Sequence, residues 1–283
     1  MSQRSSEHIQ DATGRQYHID LAAGEVAEHI LLVGDPARAM RVAALLDNVE
    51  LERRHREYVT YTGRYEGLRV SVMATGMGPD NTEIAVIELC QCVNQPTLIR
   101  CGSSGGLQPT LQLGDLVIAQ AAYRLENTSL QYVGEGYPAV ADLEVVLALI
   151  QAADQLGCRY QLGITATAAG FYGAQGRQLP GFPLRHRDQL AALTRQGIQN
   201  FDMETSCLLT LASLRGFRAG AVCAVFANRQ RQVFIAPEDQ EAAEGRCVVT
   251  GLRAFHHLVE LDRQRGTRRY WHPGLAGDSP ASI

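Results

Sequence analysis

The chain contains no lysine; all 26 basic residues among its 283 are arginine. This excludes Schiff-base lysine chemistry and the phosphate loop that ends in lysine before a hydroxyl residue. A bound anion must therefore be held by arginine forks, backbone amides and hydroxyls. An excess of one charge is also missing: the net charge of -4 creates no field for nucleic acid or an anionic membrane, and neither is expected as a partner. No apolar run approaches the ~18 residues of a membrane span. The opening segment MSQRSSEHIQ lacks the apolar stretch of a secretory signal. The seven cysteines are Cys90, Cys92, Cys101, Cys158, Cys207, Cys223 and Cys247, mostly inside apolar runs. Cys90 and Cys92 are too close for a zinc pair and have no second pair, so buried reduced thiols and a cytoplasmic location are expected.

What is present is ordinary for a globular chain: 46% hydrophobic and 20% charged residues, enough for one large α/β domain. Residues 1–16 read as a loose polar arm, 17–263 as the domain and 264–283 as a tail that carries the sole tryptophan, Trp271. Trp271 predicts that the tail packs on a surface, its own or a neighbour's. His29 to Val33 reads as a buried strand closed by Gly34-Asp35-Pro36, with an amphipathic helix following. Further strands are expected at 58–65, 68–74, 97–101, 115–120, 162–168 and 219–226, and helices at 82–92, 140–155, 205–214 and 240–261. This alternation predicts a mostly parallel or mixed central sheet covered by helices on both faces, with ligands beyond the carboxyl ends of its strands.

Several unusual clusters fall at those ends. Gly34 permits close approach of an anion to a helix start, and Arg38 in the first turn can fold back over it. The bland alternative is a simple turn. Arg100 ends an apolar strand and is followed by Gly102-Ser103-Ser104-Gly105-Gly106, which is poor core material. It suits an anion, or else a buried pairing with a core carboxylate such as Glu88. The same stretch matches the Gly-x-Ser-x-Gly nucleophile elbow, but Leu107-Gln108-Pro109-Thr110 is turn-like where that motif needs a helix. Asp202-Met203-Glu204 puts two carboxylates at a strand-to-helix junction, where one can accept from neighbouring sugar hydroxyls and one can cap the helix. His55-Arg56-Glu57 by itself reads as a solvated face.

Gly34-Asp35-Pro36 with Arg38, His55-Arg56-Glu57, Arg100 with Gly102-Ser103-Ser104-Gly105, Pro138 to Asp142 and Met203-Glu204 together resemble the hexameric-type nucleoside phosphorylase (purine/uridine phosphorylase) family. The resemblance runs from residue 17 to about 260, in the same order. Phe171-Tyr172-Gly173-Ala174-Gln175-Gly176-Arg177 resembles the signature of its uridine-cleaving branch, and the acceptor–donor–acceptor edge of uracil suits an amide plus a guanidinium. Ala227-Asn228-Arg229 stands where purine-cleaving relatives carry an aspartate.

The resemblance implies a mixed, partly barrel-like sheet and reversible phosphorolysis of uridine, with deoxyuridine or thymidine as further substrates. It implies phosphate at Gly34, Arg38, Arg56, Arg100 and Ser103, and ribose at Tyr17, His18, Met203 and Glu204. The base would meet Ser104, Gly105, Phe171, Gln175, Arg177, Phe226, Ala227 and Arg229, with Arg100, Arg229 and Glu204 carrying catalysis. His18 and Arg56 would serve a neighbouring subunit in a hexamer built as a trimer of dimers. Phosphate is a cosubstrate and no cofactor is implied; a potassium site near Glu57 is put in question by Asn81, which replaces a serine of some relatives. Asp202 stands where relatives usually have glutamate, and Phe226 is bulkier than the usual aliphatic residue. The alternatives are a purine nucleoside phosphorylase of the same fold, a nucleoside hydrolase, and a nucleoside-binding homologue without catalysis.

Overall fold

The apolar stretches of the sequence assemble into one mixed sheet, with helices packed on it. The computed structural model describes Glu7 and residues 9–275. In chain order the elements are β1 (His29–Val33), α1 (Pro36–Ala43), β2 (Asn48–His55), β3 (Tyr58–Tyr65), β4 (Leu68–Ala74), α2 (Pro79–Cys92), β5 (Thr97–Gly106), β6 (Leu116–Leu125), β7 (Ala139–Val140), α3 (Leu143–Gln155), β8 (Tyr160–Ala168), α4 (Gln189–Arg195), β9 (Asn200–Asp202), α5 (Thr205–Arg215), β10 (Arg218–Asn228), β11 (Val233–Phe234) and α6 (Pro237–Arg265).

The placement of the site follows from strand β5. Its first half pairs in parallel with β1, from Thr97 opposite His29 to Arg100 opposite Leu32. Its last two residues, Gly105 and Gly106, pair instead with β9. Along its other edge it follows β10 from end to end. Strands β5, β10, β6, β8 and β9 thereby close a five-membered barrel, while β1, β4, β3 and β2 continue as an open wing. Between residues 101 and 104 the strand has left β1 and not yet met β9. That gap is the mouth of the molecule, and it lies at a switch of strand order, where ligands bind in α/β sheets.

Local sequence explains most boundaries. Asp142 accepts the Val145 amide at 3.1 Å, so α3 starts at Leu143. Val140, expected to open the helix, instead belongs to the short strand Ala139–Val140 against β6. Helix α6 begins at Pro237, which fits a first helical turn, and runs to Arg265, four residues past the expected end. Strand β2, Asn48-Val-Glu-Leu-Glu-Arg-Arg-His55, had no apolar signature. It is the outer strand of the wing, where charges blunt an exposed edge. In the expected polar arm, Gln16 is buried and Arg15 pairs with Glu25. In the expected tail, the Trp271 amide donates to Glu144 at 3.1 Å and its indole to Gln264 at 2.8 Å, so Trp271 packs on its own chain. Residues 276–283 of that tail lie outside the described residues.

Helix α6 lies across the sheet through a glycine. A Cβ on Gly251 would stand 2.5 Å from Cys101 Sγ and 2.7 Å from Leu31 Cδ1. Gly251→Ala adds roughly 1 kcal/mol of helix propensity but overpacks the core at a cost of about 1–3 kcal/mol. A net loss of stability is expected in denaturant titration; a stabilised variant would contradict this close packing.

Candidate active site

The mouth opens into a cavity of about 540 Å³ lined from β5, β9, β10 and β11, from the start of α1, and from the segments that follow β1, β2, β4, β8 and β9. One end is built for an anion. Asp35 caps α1 by accepting the Ala37 amide at 2.9 Å, and Pro36 opens the helix. A Cβ on Gly34 would meet the Gly76 carbonyl at 3.4 Å, so two glycine turns face each other at the cavity wall. Arg38 folds back from α1 into the cavity wall and is buried. Its Nη2 donates to Glu244 at 2.7 Å and its Nη1 reaches the Cys101 carbonyl at 3.4 Å.

Arg100 is the second arginine of this end, 5% exposed. Its side chain runs along β5 over Gly102, where a Cβ would come within 2.8 Å of Nη2 and 3.1 Å of Cζ. Gly102 is therefore the residue that lets Arg100 lie flat and aim forward. Nε donates to Asp202 Oδ2 at 3.0 Å, and Nη2 bonds Glu204. Burial alone would weaken the charge of Arg100, but Glu204 and Asp202 outweigh it and raise its pKa further. The core carboxylate named for Arg100 in the sequence, Glu88, is corrected: Glu88 instead accepts from the amides of His18 and Ile19, each at 2.9 Å, and contacts His18 Nδ1 at 2.6 Å.

The two carboxylates have different duties. Asp202 also accepts from Thr167 Oγ1 at 2.7 Å, the Thr205 amide at 2.9 Å and the Glu204 amide at 3.3 Å, as well as the Thr205 hydroxyl. Four of these donors, with Arg100 among them, share Oδ2, and Asp202 thereby secures the start of α5. Glu204 accepts the Gly78 amide at 2.7 Å and the Met203 amide at 3.1 Å, one on each oxygen, and lines the cavity. Burial, helped by Asp202, raises its pKa against the opposing pull of Arg100. Arg100 shares the oxygen that accepts Met203, so the free lone pair is on the oxygen that accepts Gly78, and it remains for a hydroxyl.

The opposite end is apolar with a polar rim. Gln175 is buried, and Arg177 Nη1 donates to Gln175 Oε1 at 2.7 Å and to the Phe171 carbonyl. The Arg177 guanidinium lies 3.7 Å from the Phe171 ring centroid, a cation–π contact. Burial, and then neighbouring Arg229, bring the Arg177 pKa down to about 10. Phe226 sits at a β-bulge: Val225 pairs with Ser104 and Ala227 with Gly105, leaving Phe226 without a partner. The bulge turns its ring toward the cavity, where it meets Phe234 edge-on at 6.5 Å.

Thirteen of the expected site residues line this one cavity: Gly34, Arg38, Arg100, Ser103, Ser104, Gly105, Phe171, Gln175, Arg177, Met203, Glu204, Phe226 and Ala227. Four do not. Arg229 stands behind the wall and donates from Nη1 to the Gln175 carbonyl at 3.0 Å, with its stem against Gly105. Tyr17, His18 and Arg56 form a separate cluster. Arg56, at a φ of 55°, stacks its guanidinium 5.1 Å from the Tyr17 ring centroid, and His55 Nδ1 donates to the His18 carbonyl at 2.8 Å. Glu57 lines the cavity beside Gly76.

Gly76, Met77 and Phe234 also line the cavity and were missed. Thr75-Gly76-Met77-Gly78-Pro79 is a second glycine turn between a strand and a helix, like Gly34-Asp35-Pro36, and could have been read the same way. Nothing local marks Phe234, which arrives only because β11 pairs back on β10.

The profile of the phosphorylase superfamily matches residues 28–255. The chain belongs to that superfamily. Uridine phosphorylase of Thermococcus kodakarensis is 47% identical over 96% of this chain and 98% of its own length. Uridine phosphorylase of Escherichia coli is 34% identical over 86% of this chain and 98% of its own, and that of Treponema pallidum 37% over 90% and 98%. A guanosine phosphorylase of Halorubrum lacusprofundi is 33% identical over 76% of this chain and 84% of its own length.

Asp202 is the test of this geometry. Asp202→Asn places an amide donor among donors and leaves Arg100 with one carboxylate fewer in a buried site. A loss of about 3–5 kcal/mol is expected in chemical denaturation, the range for breaking a buried ion pair. An unchanged midpoint would show that Asp202 is not the anchor of Arg100.

Proposed function

We propose that this protein catalyses the reversible phosphorolysis of uridine to uracil and ribose 1-phosphate. The observation that carries the reading is that three kinds of group line one cavity: Arg38, Arg100 and Ser103, then Glu204 and Met203, then the Gln175–Arg177 pair with Phe171. Arg100 bonds Glu204, while further along β5 Gly105 lies against Arg229, which bonds Gln175. The relatives named above support the same substrate class.

In this mechanism phosphate binds against Gly34, Arg38, Arg100 and Ser103. Glu204 accepts the ribose 2′ and 3′ hydroxyls, and Met203 packs beneath the sugar. Ser104, Gly105, Phe226 and Ala227 wall the base. Gln175 and Arg177 meet the uracil edge, and Arg229, placed behind Gln175, secures that segment and adds positive charge. As the glycosidic bond stretches, C1′ becomes cationic and negative charge spreads to the uracil carbonyl oxygens. The phosphate dianion stabilises the first and the arginine end the second, and the phosphate oxygen then bonds C1′ while the base departs with the pair of electrons. Such catalysis is positioning plus electrostatics in a preorganised site, with no covalent enzyme intermediate.

Arg56 and His18 are proposed to complete the site of a neighbouring subunit, Arg56 at phosphate and His18, beside Tyr17, at the 5′ hydroxyl. Neither side chain lines the cavity of its own chain, which supports this assignment. The shared site requires at least a pair of subunits; the hexamer built as a trimer of dimers rests on the family resemblance, and a cytoplasmic role in pyrimidine salvage fits the chemistry. No helix among the described residues is long and apolar enough to cross a membrane.

Uracil should be released from uridine only when phosphate is present, with inosine left intact. Phosphate-dependent hypoxanthine release would move the protein to the purine-cleaving class. One such fixed donor is worth roughly 3–4 kcal/mol of barrier, so Arg177→Ala should lower turnover by about two to three orders of magnitude, and Arg229→Ala, which acts through Gln175, by about tenfold or more. Near-wild-type turnover in both variants would remove the base assignment. Size-exclusion chromatography of the active species should show an oligomer; a fully active dilute monomer would contradict the shared site.

A further inference from the structure

Arg38 lines the cavity from helix α1, and its carboxylate partner comes from a distant element. Its charge is met from α6, the closing helix. Glu244 Oε1 accepts from Arg38 Nη2 at 2.7 Å, and Glu244 Oε2 bonds Arg41 on the last turn of α1. The Glu244 carboxylate is 14% exposed and the Arg38 side chain 8%. Arg38 Nε is buried with no hydrogen-bond partner, and Nη1 has only the 3.4 Å contact to the Cys101 carbonyl.

We infer that Glu244 is a positioning residue for the phosphate end of the cavity, holding Arg38 by one amino group so that the rest of the guanidinium stays free for an anion. The inference rests on the phosphorolysis reading for what the anion is. A guanidinium can serve two acceptors because its donors point in fixed, separate directions. Glu244 takes one of them. The donors left over include the buried Nε, which is costly to leave unpaired and is satisfied when an oxyanion arrives.

A carboxylate beside a phosphate site also repels the ligand, so the sign of its effect must be argued. Arg41 decides it. Arg38 and Arg41 are set against Glu244 and Asp35, which meets Arg41 at 3.6 Å, so the four side chains balance and Glu244 leaves no net negative charge beside the anion. Because Arg41 holds its second oxygen, Glu244 has a reason to remain in place when phosphate enters. Burial opposes the negative charge of Glu244, but Arg38 and then Arg41 outweigh it and keep its pKa below the ordinary carboxylate value. Were Glu244 a competitor for Arg38 instead, removing its charge would tighten phosphate binding.

Glu244→Gln keeps the size and an acceptor, and Glu244→Ala removes both. The KM for phosphate should rise about tenfold in Glu244→Gln and further in Glu244→Ala, as expected for a lost charge-assisted hydrogen bond. The KM for uridine, and kcat at saturating phosphate, should stay within about twofold, a split that simple loosening of the helix contact would not produce. Glu244→Asp retains the charge and should fall between wild type and Glu244→Gln; it serves as the second variant if Glu244→Ala fails to fold. A parallel thermal-shift titration with inorganic phosphate alone should need about tenfold more phosphate in Glu244→Gln to reach half of the wild-type stabilisation. A lower or unchanged phosphate requirement, or an equal rise in both KM values, overturns the assignment. Phosphate-independent uracil release by the wild type would overturn the functional reading separately, and the phosphate-only titration would still decide the role of Glu244.

Discussion

The rest of the site depends on a buried cation shared by two carboxylates. Arg100 ends the β1-paired half of β5 and reaches forward to Asp202 and Glu204, which lie at the junction of β9 and α5. These elements are a hundred residues apart in the chain, and the ion pair sits where β5 passes from the wing into the barrel. A buried guanidinium without its carboxylates would be prohibitively costly, and so would either carboxylate without the guanidinium. The constraint therefore couples barrel closure to the assembly of the cavity. Gly102 and the glycine turn at Gly76–Gly78 are parts of the same constraint. One leaves room for the arginine stem, and the other brings the Gly78 amide to Glu204.

Around that centre the cavity is electrostatically divided. The anion end has arginines whose charges are already balanced by Asp202, Glu204 and Glu244, so they are held rigidly before a ligand arrives. At the base end, Arg177 is held by the Gln175 amide, the Phe171 carbonyl and the Phe171 ring, all neutral, and Arg229 by the Gln175 carbonyl. Burial lowers the pKa of both. An arginine whose partners are neutral in a partly buried site favours whatever brings acceptor oxygens and developing negative charge. Uracil leaving a sugar does both. In the proposed reading, this contrast between balanced and unbalanced arginines orients the substrate, with phosphate toward Arg38 and Arg100 and the base toward Arg177.

Much of this was legible in the chain. The strand–helix alternation, the glycine turns and the arginine after an apolar strand carried enough local chemistry to mark the anion end. The Phe171–Arg177 segment marked the base end through its resemblance to a family. What escaped was of two kinds. Strand β2 has no apolar period because it is an edge whose side chains face solvent, so nothing in the pattern distinguishes it from a loop. Phe234, Glu244 and the true partner of Glu88 are long-range matters, since each is an ordinary residue until another element is packed against it. The role of Phe226 depends on a bulge that only the pairing of β10 with β5 reveals.

By itself, the sequence determined the kind of chemistry available. With no lysine, an anion had to be bound by arginine, backbone and hydroxyl groups, and the charged residues at strand ends had to be either paired or functional. Those are properties of side chains and of local backbone, which neighbouring residues dictate. Tertiary structure alone decided who pairs with whom. Arg100 went to Asp202 and Glu204 rather than Glu88, Arg38 to Glu244, and Tyr17, His18 and Arg56 to a cluster away from their own cavity. Charge partners are chosen by proximity after burial, and proximity is fixed by sheet register and helix packing, not by spacing along the chain.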